Sequence, residues 1–426
     1  MKAYHLLTGL LVAALGAVAR SSEALEHALA EALRVMEQHP LIDGHIDLPF
    51  IVRSLGPRPL EVIARHNETM PGHVDLERMR QGRLAGLFMV AWIPCPDPWA
   101  SDDYLDPNNA VRDTLEAIDI IQQMVVSAPN DLTLARNSEE VKQAFESGKI
   151  STLIGVEGGH QLGNSLSSLR LYAQLGVRYV TLTHTCHNAF ASSAGSGTPI
   201  EPAHPSNGLT DFGRELVVEM NRLGVLVDLS HTSYQTMTDA IAISHAPVLF
   251  SHSGAAAIYD HPRNVPDSVL ALIGDGADQN PGLVMSVFHS PFIDSKNATV
   301  ERVADHIEHI AVVCGKRHVG ISSDFDGTNN AVQGLEDATK YPSLIAELIL
   351  RGWTEDELAD LMGGNLIRIL DDADRASGSL AWMPASAATY GRRKDLPAHW
   401  GGADDEYLPA DVKQYLNQRR QLHDEL

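Results

Sequence analysis

Eight short apolar runs, separated by stretches of helical periodicity, constrain this chain more than any other feature. They read "LIDGHID", "AGLFMVAWIP", "STLIGVEGGH", "VRYVTLTHTCH", "GVLVDLSH", "PVLFSHSG", "GLVMSVFH" and "HVGISSDFDG". Each is bounded by glycine, proline or polar turn residues, as strands buried on both faces of a parallel sheet are. Between them, "TDFGRELVVEMNRLG" sets Leu216, Met220 and Leu223 on one helical face and stops at glycine, and "VERVADHIEHIAVVCG" repeats the device. "TEDELADLMGGNLIRIL" opens with Thr354 and Glu357 in capping-box spacing. No low-complexity linker divides the chain, and no repeat of 20–50 residues shows. The rhythm predicts an α/β fold, a single-domain (β/α)8 TIM barrel, with a doubly wound sheet as the alternative.

In such a barrel the functional side chains stand at the C-terminal ends of the strands. The first run ends in His45 and Asp47, the third in Glu157 and the fourth in His184. The fifth ends in His231, the sixth in His252 and the eighth in Asp324. Any one of these histidines alone would more often be a satisfied polar residue near the surface. Repetition at six strand ends is not explained that way. His45 and Asp47 are two apart and share a strand face, as the strand period of two requires. Imidazole nitrogens and carboxylate oxygens, without thiolates, suit zinc or a similar divalent metal at a catalytic site. Three histidines and two carboxylates exceed what one zinc needs with a water position kept open. Two metals about 3.5–4 Å apart, bridged by a carboxylate, use them all, activating water near neutral pH and polarising a carbonyl.

At 426 residues, 44% hydrophobic, the chain has enough apolar material for a large core. Its formal charge of −23 argues against nucleic acid as a partner, since a phosphate backbone needs a basic face. An anionic substrate stays open, because one buried arginine can set the local field. Residues 1–20 read as a signal peptide, with an apolar core from Leu6 to Val18 and Ala17 and Ala19 in A-x-A spacing. No later segment is long and apolar enough to span a membrane. The chain closes on His423, Asp424, Glu425 and Leu426, the form of an endoplasmic-reticulum retrieval signal. Sequons at Asn67 and Asn297 fit glycosylation on a secretory route. The odd count of three cysteines, Cys95, Cys186 and Cys314, suggests one bridge and one spare thiol in an oxidising lumen.

"LIDGHIDLP", "IGVEGGH", "LTHTC", "VDLSH", "LFSHS", "RNVPD" and "HVGISSDFDG" stand in the order and at about the spacing of the membrane or renal dipeptidases, the M19 metallopeptidases. The resemblance runs from about Leu41 to Leu370 and closes with "GGNLIRIL". It implies a (β/α)8 barrel with two zinc ions per chain, His45 and Asp47 holding one, His231 and His252 the other, and Glu157 bridging. It implies that His184 binds the substrate carbonyl and steadies the oxyanion. Arg263 would pair with the free carboxylate of a dipeptide, a task for a planar guanidinium fork. Asp324 would move the proton from attacking water to leaving amine and meet the substrate's amino group. The resemblance also suggests a Cys95–Cys186 disulfide, with Cys314 left as a buried thiol. One departure stands at "VMSVFHS", where the family usually has "MVNFY": His289 occupies the place of a tyrosine at the pocket rim.

The expected organisation is a signal peptide over residues 1–20, the barrel over 21–375 and a C-terminal extension over 376–426. The leading reading is a zinc dipeptidase that cleaves small peptides with free termini by a two-metal-activated hydroxide. Fungal relatives of this kind include enzymes that trim glycine from cysteinyl-glycine-type glutathione adducts in secondary metabolism, and the sequence is compatible with that role. A binuclear barrel acting on a lactam or ester is a second reading, and a non-enzymatic binding module a third. Asp324 counts against the third, since structural zinc needs no spare acid–base carboxylate. Family members are often dimers, so a homodimer is an expectation that no stretch of this sequence marks.

Overall fold

The computed structural model describes residues 23–56, 70–96, 109–196, 206–390 and 409–423. The expected signal peptide, Asn67 and Asp424–Leu426 lie outside the described residues. All eight apolar runs form strands: β1 (Leu41–Ile46), β2 (Leu84–Ala91), β4 (Ile150–Glu157), β5 (Val177–Thr181), β6 (Leu226–Asp228), β7 (Val248–Ser253), β8 (Leu283–Ser286) and β9 (Val319–Ile321). A further strand, β3 (Leu132–Leu134), pairs only with the start of β4. It is too short for its period to show in the letters. The eight main strands pair in parallel in chain order from β1 to β9. Just past the strand ends, Asp47 N donates to Phe325 O at 2.9 Å and Asp324 N to His45 O at 3.1 Å. These bonds join the last strand to the first and make the sheet a barrel.

Two apolar layers hold it. Ile42, Phe88, Val90, Leu153, Tyr179, Leu226, Leu249, Leu283 and Met285 form one buried cluster inside the barrel. Leu87, Met89, Ile154, Val156, Val180 and Val227 belong to a second, between strands and helices. Burial on both faces is why the strands read as apolar runs without polar alternation. The helix Asp211–Leu223 ends at Gly224 in the left-handed conformation, and Thr354 and Glu357 form their capping box. The pattern opened by Thr354 is interrupted: Glu355–Ala359 passes through a π-helical turn, Asp360–Gly364, into Asn365–Ser379. A Cβ on Gly363 would lie 2.4 Å from Pro40 O, so the helix meets the chain just before β1 at a glycine. Asn365 Nδ2 donates to Lys316 O and Val319 O, and Arg368 Nη1 to Pro281 O, which fastens this helix across the N-terminal ends of β8 and β9. The opposite end of the barrel is left to the loops that carry the site.

Beyond residue 379 the chain packs against Asp211–Leu223, with Ser386 Oγ donating to Glu215 and Tyr390 meeting the Phe212 ring at 5.6 Å. No helix among the described residues is long and apolar enough to cross a membrane.

Candidate metal centre and its pocket

β1 does not alternate strictly. Its pairing with β2 shifts register between Asp43 and Ile46. A Cβ on Gly44 would lie 2.5 Å from Met285 Sδ in the barrel interior, and the next residue, His45, also turns inward to reach Tyr179. Such a bulge re-aims a side chain. Here it puts His45 and then Asp47 over the barrel mouth. On β4, Leu153, Gly155 and Glu157 alternate as a strand should. Gly155 is required because a Cβ there would fall 2.3 Å from the Tyr179 ring. His231 and Asp324 lie on loops beyond β6 and β9 and hold positive φ, 65° and 59°. Non-glycine residues rarely adopt that conformation, and such strain gathers at functional sites.

Glu157 is the centre of the cluster. Its Oε1 lies 2.9 Å from His231 Nε2 and 3.3 Å from His252 Nε2, and its Oε2 lies 3.5 Å from His45 Nε2. Asp47 Oδ2 is 3.4 Å from the same His45 nitrogen. The ligand atoms thus form two overlapping triads, His45–Asp47–Glu157 and Glu157–His231–His252, each within 4.8 Å. A third, His45–His252–Asp324, brings Asp324 against both. All five residues of the first two triads are buried.

These residues fit a divalent cation. Among the described residues His45 Nε2 and Asp47 Oδ1 are buried without a hydrogen-bond partner, a cost that native proteins seldom leave standing. Nε2 of His231 and Nε2 of His252 lie 3.0 Å apart and both face Glu157 Oε1. Burial holds both imidazoles well below the usual histidine range, Arg263 and neighbouring imidazoles adding to it, so both are neutral, as ligands must be. Burial opposes charge on His45 too, but Glu157 and Asp47 outweigh it and lift that imidazole well above its usual range. Burial likewise opposes the Glu157 carboxylate, yet the imidazoles around it, His45 foremost, hold its carboxyl well below the usual value. The pocket favours positive charge between these carboxylates.

Above the cluster lies a cavity of about 200 Å³ bounded by Phe50, Trp92, His184, His289, Phe292 and Asp324. Burial foremost, with Asp47 and Glu157 adding to it and His45 and Arg263 opposing, pushes the Asp324 carboxyl well above the usual range. His184 stands on the loop after β5 with its ring 4.4 Å from that of His231. The Cys95–Cys186 disulfide forms beside it, tying this loop to the one after β2, and Cys314 remains a buried thiol that burial pushes up to about 12. Arg263 is 1% exposed, with Nε and Nη1 unpartnered and its guanidinium 5.0 Å from the Phe292 ring centre. Burial pulls its pKa down to about 10. Asn297 is exposed. His289, at the rim, bonds Thr328 through Nδ1 and packs on Phe292 at 4.2 Å.

Every strand-end residue singled out from the sequence therefore meets the others at one barrel mouth. His318, which precedes β9, is structural: Nδ1 bonds Gly282 O at 2.8 Å. His204 lies outside the described residues. Sequence reasoning missed the cavity walls Phe50, Trp92 and Phe292, and the buried Tyr179, Asp228 and Ser251 beneath the cluster. Asp228 was visible in "VDLSH" as a charge inside an apolar run, and that was the available signal.

Comparison with known proteins places the fold and the family. The family model of membrane dipeptidases, peptidase family M19, matches residues 29–383. The dipeptidase verJ of Clonostachys rogersoniana is 42% identical over 355 residues, which cover 83% of this chain and 89% of that protein. A metallopeptidase of Rhodobacter sphaeroides, solved with a phosphinate mimic of the dipeptide L-Ala-D-Ala, is 28% identical, with a TM-score of 0.67 over 79% of this chain and 99% of its own. The probable dipeptidase PvdM of Pseudomonas aeruginosa is 23% identical, with a TM-score of 0.72 over 82% of this chain and 99% of its own, and supports the fold alone. On the family match and the fungal relative together, this chain belongs to the membrane dipeptidase family, M19.

Proposed function

We propose that the chain is a binuclear zinc dipeptidase acting on small peptides with free termini. The observation that carries this is Glu157, whose two carboxylate oxygens face two separate sets of ligand atoms in a pocket holding a buried arginine with two guanidinium nitrogens unpartnered among the described residues. His45 and Asp47 would hold one ion, His231 and His252 the other, and Glu157 both. The nitrogen and oxygen donors, without thiolate, suit zinc. Bound there, zinc would make water acidic enough to attack near neutral pH and would polarise a carbonyl.

The chain's own residues do the rest. Arg263 takes the substrate's C-terminal carboxylate, replacing the partners that Nε and Nη1 lack. His184 donates to the carbonyl oxygen as charge develops on it. Asp324 accepts the proton of the attacking water and delivers it to the amide nitrogen as the C–N bond breaks. Burial raises this carboxyl well above the usual range, so it holds an accepted proton more firmly than an exposed carboxylate would until the leaving nitrogen takes it. The aromatic walls Phe50, Trp92 and Phe292 exclude water and receive side chains. We take residues 1–20 as a cleaved signal, 21–375 as the catalytic barrel and the C-terminal "HDEL" as a retrieval signal. Loss of retention on deleting His423–Leu426 tests the last of these.

The deciding experiment compares a dipeptide with its C-terminally amidated form, before and after chelation. Chelator-sensitive cleavage confined to the free acid supports the reading. Cleavage of both forms at equal rates, or cleavage indifferent to chelation, removes it.

A further inference from the structure

His45 and His252 both turn Nε2 toward Glu157, so each must carry its proton on Nδ1 to keep a lone pair free there. What each Nδ1 meets decides whether it does. His45 Nδ1 lies 2.9 Å from Tyr179 Oη, whose own proton goes to Gly44 O at 3.3 Å. His252 Nδ1 lies 2.8 Å from Ser251 Oγ. A serine hydroxyl can donate or accept, so this contact alone leaves the tautomer open.

Asp228 closes that choice. Its Oδ2 accepts from Ser251 Oγ at 2.7 Å and from Thr181 Oγ1 at 2.6 Å. Its Oδ1 accepts from Ser251 N at 2.8 Å and Ser230 N at 3.2 Å. Every one of these neighbours donates, and all are buried. Ser251 has one hydroxyl proton. With that proton held by Asp228, only a lone pair remains for His252, which must then present Nδ1–H. We propose that Asp228 is a positioning residue: acting through Ser251, it sets the His252 tautomer that leaves Nε2 able to bind a cation. The proposal rests on the metal-binding reading of the site. It assigns a role to a carboxylate that is not among the ligands.

The isosteric change Asp228→Asn reverses the relay. Its amide NH2 cannot face the two backbone N–H groups, so it must take the Oδ2 place and donate to Ser251 Oγ. Ser251 then points its proton at His252 Nδ1 and drives the imidazole proton onto Nε2, toward the metal position. We would strip the full chain with chelator and titrate it calorimetrically with Zn2+. Asp228→Asn should weaken one of two binding events by about ten- to a hundred-fold and spare the other, the range usual for lost partners of metal ligands. Ser251→Ala should lose less. The double variant should return to the Ser251→Ala value, because the amide's push no longer reaches His252. A merely structural Asp228 would give no such rescue. Unchanged affinity in Asp228→Asn, or a double variant no better than it, would overturn the proposal. Nitrogen-15 shifts of labelled histidines in the metal-free, unsubstituted chain decide the same point without relying on any variant's metal binding, with His252→Gln locating the signal. Nδ1–H at His252 is expected, and Nε2–H would sink the relay. If the unsubstituted chain takes up no zinc, the metal reading fails while those shifts still judge the relay.

Discussion

Arg263 lies with its guanidinium 5.0 Å from the centre of the Phe292 ring, fully buried, with Nε and Nη1 bonded to nothing among the described residues. Of its guanidinium nitrogens only Nη2 has a partner among the described residues, His252 O at 3.4 Å. A charge so placed, facing the field of Asp324 and Glu157, is held ready for an anion. Arg263→Met keeps the apolar stem against Phe292 and removes the charge. kcat/KM for a free-acid dipeptide should fall roughly thirty-fold or more, about 2 kcal/mol, the low end for a buried charge pair. The ratio of free-acid to amidated cleavage should fall toward one. An unchanged ratio would remove Arg263 from substrate recognition.

Glu157→Gln keeps the shape of the bridging position and removes its charge. The Oε1 and Oε2 contacts lead to different sets of imidazoles, so both proposed metal positions should suffer. Elemental analysis should then find less than one zinc per chain, against the two proposed for the unsubstituted protein. Full metal content with full activity would show the bridging assignment to be wrong.

The Cys95–Cys186 disulfide spans 91 residues and flanks His184. Replacing both cysteines by serine should cost about 2–4 kcal/mol of stability. It should also loosen the His184 loop, so kcat should drop while zinc content stays the same. Calorimetric unfolding and metal analysis of the same samples check both halves. A variant with unaltered melting and kinetics would show that the bridge constrains nothing.

His306 is wholly buried on the helix Val300–Cys314, accepting from Ala255 N at 2.9 Å through Nδ1 and bonding Ile293 O at 3.0 Å through Nε2. That pattern needs the neutral ring, and burial lowers its pKa to about 4 from 6.5, with Arg302 also opposing charge and the Ile293 bond favouring it. A depressed folded-state pKa means that its stabilising effect is complete above pH 6.5 and is lost as pH falls through 4. The loss amounts to roughly 3 kcal/mol. Denaturant midpoints measured from pH 7 to pH 4 should fall along that window, and less steeply in His306→Gln. Parallel slopes in the two proteins would remove His306 from the acid response.

Much of the architecture was legible because it is written locally. A parallel strand buried on both faces must be apolar throughout, so all eight barrel strands stand out as runs, and helix stops such as Gly224 mark the spaces between them. β3 escaped because three residues carry no period. The π-turn at Asp360–Gly364 escaped because it answers to Pro40, more than 300 residues away in the chain.

The candidate site divides along the same line. Residue types at strand ends were enough to name His45, Asp47, Glu157, His231, His252 and Asp324, because a barrel sends every strand's C-terminal end to one face. By itself, then, the sequence determined the barrel and the inventory of chemical groups at its mouth. Only the tertiary structure decided how those groups are aimed. The bulge that turns both Gly44 and His45 inward depends on pairing with β2, and the hydroxyl that sets the His252 proton depends on a carboxylate from the neighbouring strand. Hydrogen-bond direction and side-chain convergence are properties of residues that are distant along the chain and adjacent in space, and no local pattern of letters encodes them.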